Sequence, residues 1–455
     1  MDRGQSGTGT DPVLAADRPP TATRPEQAPD EGTLRRVTGA GLIGSFVEWY
    51  DYGIYGLLVG TLSVVLMPPG ESASTGVLLT YAGFLVSFLV RPFGGVICGH
   101  LGDRIGRKRL LAALLLMISA ATAAIGLIPD FATIGWAAPA LLVLMRLVQG
   151  FSAGGEASGA MSFVAEYAPE GQRGRRTAWL AVGSFTALLF GSLLSSALLH
   201  GLSAEAMNGW GWRIPFLVAV PLGLVGFYIR TRLEDTPRFL SVQRENIAER
   251  NPLKAAFTSK RHLKAIGLTI TLPALNGPGY YILFVYMPTY LKTELGFTQV
   301  QGLLVTAAGL VAIIAAIPVL ARVSDRVGRK PVLIGSALAM AVLAYPAFLA
   351  IQQGQMLLAC VSAAVLALAF AGHAAVIHVT LVEMFPTNVR YSAYSVGFNI
   401  TTVVFGGSAP LVMTAIINAT GVTSVPAFAV VLTALITLVT ALGLRETAGE
   451  RLSDS

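Results

Sequence analysis

Gly99-His100-Leu101-Gly102-Asp103-Arg104-Ile105-Gly106-Arg107-Lys108 recurs, close to half the 455-residue chain later, as Ala321-Arg322-Val323-Ser324-Asp325-Arg326-Val327-Gly328-Arg329-Lys330. A second pair of short motifs repeats at nearly the same offset, Glu166-x-x-Pro169-x-x-x-Arg173 and Glu383-x-x-Pro386-x-x-x-Arg390. Each copy is a charged knot between long apolar runs. The four stretches together predict two halves built on one plan, related by a parallel repeat.

Composition says what the halves are made of. Apolar side chains are 54% of the chain and charged ones 13%, and the mean hydropathy is +0.65. A soluble domain carries roughly 25% charged residues, so an ordinary soluble globule is excluded, as is disorder over most of the length. About 20 apolar residues cross a bilayer as a helix. Twelve such runs fit here, at 37–66, 76–100, 110–129, 136–165, 176–200, 213–231, 264–291, 299–321, 332–351, 356–385, 391–418 and 425–444. Breakers such as Pro68-Pro69-Gly70 and Gln352-Gln353-Gly354 separate them. The prediction is an all-α polytopic membrane protein with 12 transmembrane helices in two six-helix bundles. Residues 37–231 form the first bundle and 264–444 the second. A central cytoplasmic loop spans 232–263, a proline-bearing disordered tail 1–36, and a short polar tail 445–455.

The basic residues orient the spans. Of 32 Lys and Arg, only Arg213 and Lys292 fall in the odd-to-even loops and only Arg91 and Arg146 well inside spans. The rest mark the tails and the even-to-odd loops as the cytoplasmic face. Both termini are therefore expected in the cytoplasm, in an inner or plasma membrane. The tail has no secretory n-region or h-region, so insertion is expected to rely on the first span. The net charge of +7 comes without a basic stripe interleaved with aromatics, so no nucleic-acid partner is expected. Cys98 and Cys360 lie within apolar runs and read as small hydrophobes. No metal, cofactor or enzymatic nucleophile–base set is expected from the sequence.

Charges inside spans are costly and point to function. Glu48 and Asp51 are three residues apart on one helical face, with Asp51 about 21 Å into its span. Two carboxylates this close cannot both ionise cheaply in a low dielectric, which suits a group that takes and releases a proton. The alternative is a static pairing with Arg91 or Arg146. Arg146 opens Arg-Leu-Val-Gln149-Gly150, and a fixed positive charge near Asp51 would tune it. Glu156, flanked by Gly154, Gly155 and Gly159, pairs with Arg91 or holds the cationic end of a substrate. Arg91, before Pro92-Phe93-Gly94-Gly95, suits a carboxylate. His373 and His378 are proton carriers or hydrogen-bonded structural residues. Asn276-Gly277-Pro278-Gly279 predicts a bend in the seventh span. Tyr281 and Tyr286 after it offer ring faces to a quaternary ammonium, or are interface-belt residues.

The Asp-Arg-x-Gly-Arg-Lys loop and its degenerate copy resemble the major facilitator superfamily. Glu48-Trp49-Tyr50-Asp51-Tyr52, Arg91-Pro92-Phe93-Gly94-Gly95, Gln149-Gly150-Phe151-Ser152-Ala153-Gly154-Gly155-Glu156 and Gly211-Trp212-Arg213-Ile214-Pro215-Phe216 resemble its metabolite:proton symporter family. Tyr280-Tyr281, Tyr286-Met287-Pro288-Thr289-Tyr290-Leu291 and Met384-Phe385-Pro386-Thr387-Asn388-Val389-Arg390 resemble the proline/betaine branch.

The resemblance implies the major facilitator fold and proton-coupled import of a small zwitterionic metabolite, by a functional monomer. It implies that Gly99, Asp103, Arg104, Gly106, Arg107 and Lys108, with Asp325, Arg326 and Arg329, latch the cytoplasmic side, joined by Glu166, Arg173, Glu383 and Arg390. The alternative is that these residues are topology signals only. It also implies proton coupling at Asp51, Glu48 and Arg146, and substrate contacts at Arg91, Glu156, Tyr281, Tyr286 and Asn276. A proton symporter of an organic acid such as 2-oxoglutarate or citrate is the alternative, and a non-transporting receptor a more distant one. The fifth span lacks the Gly-Pro dipeptide of drug:proton antiporters, which argues against efflux. The eleven residues after Leu444 are too few for an osmosensing coiled coil.

Overall fold

In lipid, a long apolar run satisfies its backbone as a helix, and the described residues are helical almost throughout. The computed structural model describes residues 31–69, 73–105, 107–169, 171–232, 267–384 and 387–449. The helices of the first half are α1 (Glu31–Leu57, resuming as Val59–Val65), α2 (Ala73–Ile105), α3 (Arg107–Gly126), α4 (Ala137–Tyr167), α5 (Arg173–Gly201) and α6 (Arg213–Leu217 and Ala219–Arg232). In the second half, α7 runs through Leu272–Leu275, Asn276–Tyr280, Tyr281–Tyr286 and Met287–Leu295. It is followed by α8 (Gln299–Val327), α9 (Arg329–Ile351), α10 (Met356–Glu383), α11 (Thr387–Thr401, a π turn, then Ala409–Thr420) and α12 (Val425–Leu442).

Among the described residues, nine of the helices are long and apolar enough to cross a membrane unaided. The other three of the twelve spans depart for identifiable reasons. α1 breaks at Leu58 and buries Glu48 and Asp51. The apolar part of α3 shrinks to Leu110–Gly126. α7 changes winding, from a 3-10 turn at Leu272–Leu275 to a π turn at Tyr281–Tyr286. The proline and glycines of Asn276-Gly277-Pro278-Gly279 lie between those two turns, in the bend expected of them.

Several ends differ from the hydropathy boundaries. α1 is already helical at Glu31, the first described residue and ahead of the expected 37, where the Arg176 guanidinium of α5 holds the Glu31 carboxylate at 2.8 Å. α8 continues to Val327, past the expected 321, so Asp325 and Arg326 belong to its last helical turn and not to a loop. Charges beyond the lipid end a hydropathy window without ending the helix. The stop comes at Gly328, whose φ of 105° favours glycine. α2 likewise runs to Ile105. The 232–263 loop lies outside the described residues apart from Arg232, as do residues 1–30 of the N-terminal tail.

Within the halves α1 packs on α5, α2 on α4, α8 on α10 and α9 on α12, while α5 and α8 cross the interface between them. The Ser192 hydroxyl of α5 donates to the Leu303 carbonyl of α8 at 2.9 Å. Leu357, Val361, Val365 and Leu368 make an exposed apolar stripe along α10, as a lipid-facing surface requires.

Candidate functional site, buried charges in the transmembrane core

Glycines bring α2 and α4 into backbone contact, and that contact places the charged side chains. A Cβ at Gly150 would overlap the carbonyl of Ser87, at Gly154 that of Arg91, and at Gly94 that of Phe151. Small residues allow such approach within a membrane. The glycines of the Gln149-Gly150 and Gly154-Gly155 pairs therefore have a steric task. They hold Arg91 of α2 and Arg146 and Glu156 of α4 inside one narrow seam.

Arg146 is fully buried. Its Nη1 donates to Gln149 Oε1 at 2.8 Å and its Nη2 to Ser87 Oγ at 2.8 Å and Phe84 O at 3.5 Å. Its charge rests on the rings of Tyr55, Phe84 and Tyr52, at 4.2, 5.0 and 5.2 Å from their centroids. Gln149 in turn donates to Thr122 of α3 at 2.5 Å. Arg146 is thus held by neutral oxygens and aromatic faces.

Asp51 turns the other way. Its Oδ2 accepts from Ser119 of α3 at 3.0 Å, and its Oδ1 has no hydrogen-bond partner among the described residues. Gly223 of α6 closes on Ser119, where an added Cβ would stand 2.6 Å from the hydroxyl. The hydrogen bonds of Asp51 and Arg146 therefore go to different elements. Instead, Glu48 and Glu156 bear electrostatically on Asp51, which makes a buried group of three carboxylates.

Arg91, 1% exposed, lies over the rings of Tyr52 and Phe88 at 5.4 and 5.5 Å, and its Nε and Nη2 find no hydrogen-bond partner among the described residues. Phe88 meets Tyr281 of α7 edge-on at 5.3 Å, and Tyr281 meets Tyr280 at 5.1 Å. Trp49 of α1 covers Tyr280 at 4.6 Å. The hydroxyls of Tyr52, Tyr280 and Tyr281 are buried without a partner among the described residues. Tyr280 ends the α-helical piece of α7 and Tyr281 opens its π turn, and both rings meet side chains of the first half. Tyr286 stands apart, its ring on Tyr81 at 5.8 Å and its hydroxyl accepting from Thr414 at 3.4 Å. Asn276, half-buried where the α-helical piece of α7 begins, makes no side-chain hydrogen bond to this group among the described residues.

At the end of the bundle that carries the repeated charged motifs, the halves are joined by charge. The Asp325 carboxylate accepts from the amides of Gly174 and Arg175, at 3.0 and 2.8 Å, at the N-terminus of α5. Arg329 donates to Asp325 at 2.6 Å and to both oxygens of Glu383 at 3.2 Å. Arg173 faces Glu383 across the interface at 4.0 Å. Arg326 is exposed, and Glu166 lies at the end of α4. The side chains of Asp103, Arg104, Arg107, Lys108 and Arg390 lie outside what is described, as does Gly106, while Gly99 is described only as part of the α2 helix. At the other end the closure is mostly apolar. Gly56 of α1 packs against Val285, and Gln299 donates at 3.4 Å to the Leu57 carbonyl freed by the break in α1. With both ends shut, Glu48, Asp51, Arg91, Arg146 and Glu156 are each at most 3% exposed.

Ser119 and Phe88 escaped the sequence reading as site residues. A serine or a phenylalanine in an apolar span has no periodic signal to distinguish it. Their roles arise from contacts between helices distant in sequence. Of the two histidines on α10, His373 has neither ring nitrogen hydrogen-bonded among the described residues and lies on Phe370, while His378 Nδ1 meets the Tyr394 hydroxyl at 2.9 Å.

A chain of two helical halves with five ionisable side chains buried in its interior has the build of a membrane transporter. It belongs to the major facilitator superfamily, whose pattern matches residues 41–309, while that of the sugar (and other) transporters matches 241–454. The glycine betaine/proline/ectoine/pipecolic acid transporter OusA of Dickeya dadantii is 37% identical, over 93% of this chain and 85% of its own. The proline/betaine transporter of Escherichia coli is 36% identical over 93% and 86%. The ectoine/proline transporter ProP of Corynebacterium glutamicum is 36% identical over 87% and 80%. Among solved structures, the proton:xylose symporter XylE superposes with a TM-score of 0.77 at 19% identity, covering 92% of this chain and 98% of that one. These relatives are named as transporters, not enzymes, and this chain is a multi-pass membrane transporter of a small molecule.

Proposed function

We propose that the protein imports a small zwitterionic solute of the proline or glycine betaine kind by proton symport. It would work in the inner or plasma membrane with both termini in the cytoplasm. The observation that carries this reading is Arg91. A guanidinium 1% exposed, with Nε and Nη2 unbonded among the described residues, is costly unless something completes its shell. A substrate carboxylate would do so with short charge-assisted bonds. The faces of Tyr280, Tyr281 and Trp49 and the carboxylates of Glu48 and Glu156 suit the cationic end of the same molecule. One chain supplies all these side chains, which supports a functional monomer.

A dicarboxylate would call for a second available cation. Arg146 is already occupied by Ser87, Gln149, Phe84 O and three rings, which weighs against the organic-acid alternative. Asp51, with one oxygen on Ser119 and the other unbonded among the described residues, is the proton-coupling carboxylate, aided by Glu48. The cytoplasmic network around Asp325, Arg329, Glu383 and Arg173 is the latch that parts when the inner mouth opens.

Uptake of labelled proline into proteoliposomes, with and without an imposed proton gradient, tests the reading. Proline should accumulate only with the gradient, and unlabelled betaine should compete. Competition by 2-oxoglutarate in place of betaine would overturn the zwitterion assignment.

A further inference from the structure

We propose that Tyr394 and His378 form a proton outlet from the central carboxylates toward the cytoplasmic mouth, so that the second half takes part in coupling. The proposal rests on the proton-symport reading above. Tyr394 of α11 is 1% exposed, and its hydroxyl stands 2.9 Å from His378 Nδ1 on α10. Phe398 wedges both rings, meeting the imidazole at 5.0 Å and Tyr394 at 5.6 Å. The pair is therefore fixed in geometry and not a chance encounter.

The pair also faces the first half. A Cβ on Gly95 of α2 would stand 3.0 Å from Ser395 Oγ and 3.5 Å from Asn399 Nδ2, so α11 meets α2 one turn from Arg91. The Tyr394 hydroxyl is within electrostatic reach of Glu48 and of Arg91. On the other side, His378 is half-buried where Tyr394 and Glu48 are almost fully buried. It lies five residues, about 7.5 Å along the helix, before Glu383 of the cytoplasmic network. Ten residues beyond Leu368, it sits roughly 80° round α10 from the lipid stripe. The ionisable and charged groups facing the pair are Glu48 from α1, Arg91 from α2 and His373 from α10 itself.

The transfer balances without any other reactant. The Glu48 carboxyl O–H breaks and its proton passes to the Tyr394 oxygen, through a water or a rotamer change of Glu48. The Tyr394 O–H breaks in turn, and its proton forms N–H at His378 Nδ1. Glu48 becomes a carboxylate, His378 an imidazolium, and Tyr394 is unchanged. The imidazolium releases one proton to water as the cytoplasmic mouth opens. A substrate carboxylate on Arg91 would cancel the positive charge that opposes a proton on this path, which links release to the loaded carrier.

His378→Gln and Tyr394→Phe in proteoliposomes separate the outlet from a packing role. Counterflow exchange of labelled proline at equal pH needs no net proton release and should persist in both variants. Uphill accumulation under an imposed gradient should fall at least about tenfold. Normal accumulation in both variants overturns the outlet, and so does a parallel loss of exchange and accumulation. Wild-type protein that accumulates no proline under the gradient removes the symport reading itself, and the outlet with it.

Discussion

Asp325 accepts the Gly174 amide at 3.0 Å, so a carboxylate from the end of α8 caps the N-terminus of α5 in the opposite half. The fit is tight, since a Cβ on Gly174 would stand 2.6 Å from Asp325 Oδ1 and 2.5 Å from Arg329 Nη1. Gly174→Val should therefore separate the halves at the cytoplasmic side. Cysteines placed on the facing surfaces of α5 and α8 should be alkylated faster from the inside, and turnover should drop. Unchanged labelling would remove the latch role of this contact, and Asp325→Asn should give a milder form of the same shift.

Arg91 offers fixed donors beside Tyr52 and Phe88, and a lysine cannot reproduce their planar fork. Arg91→Lys should weaken substrate binding by roughly 10–100-fold, the worth of a charge-assisted hydrogen bond. Titration calorimetry with proline on the purified variant measures this. Wild-type affinity would show that the substrate carboxylate binds elsewhere.

Asp51→Asn keeps a hydrogen bond to Ser119 but loses the titrating group. Exchange should survive while gradient-driven accumulation disappears. Should the variant concentrate proline with a normal proton dependence, coupling belongs to another carboxylate. Ser119→Ala, which leaves Asp51 able to titrate, should shift the pH profile of uptake without abolishing it.

The glycines of the α2–α4 seam are a stability test. Gly150→Leu forces a side chain into the Ser87 carbonyl, and overpacking typically costs about 1–3 kcal/mol. A fall in melting temperature of the detergent-purified protein should be accompanied by lost transport. A variant as stable as wild type would mean that the helices separate more easily than their contact suggests.

Glu446, beyond α12, accepts from the amides of Arg329 and Lys330 at 2.8 and 3.1 Å and so caps α9. Burial raises its carboxyl, but hydrogen bonds from the Ala448, Arg329, Lys330 and Thr447 amides outweigh this and hold it below the ordinary value of 4.5. A depressed carboxyl stabilises the fold above its unfolded pKa, and that contribution disappears as pH falls through the folded one. Glu446→Gln should therefore lower stability near neutrality and flatten the loss on acidification. Identical stability–pH curves for variant and wild type would contradict the cap.

The repeat was legible because it is written twice in contiguous residues, and the membrane because hydropathy is additive along a run. The intramembrane charges were legible for the converse reason. Five charged residues in apolar spans stand out at once, and all five prove buried. Their pairing was not legible. A fixed charge at Arg146 beside Asp51 was a reasonable expectation, yet aromatic faces serve a guanidinium as well as a carboxylate does, and they were the neighbours that packing supplied. The motifs Glu166…Arg173 and Glu383…Arg390 read as two copies of one repeat, which names no partner for any of their charges. In the structure Arg173 faces Glu383 of the other half.

The sequence alone determined the helical class and the repeat that divides the chain, because each follows from local composition and contiguous motifs. The tertiary structure decided what lies beside Arg91, Asp51, Asp325 and His378. Those neighbours come from helices up to 300 residues or so apart, brought together by glycine contacts, a π turn in α7 and the crossing of α5 with α8. Side-chain partners at such separations depend on packing, which no single stretch of chain contains.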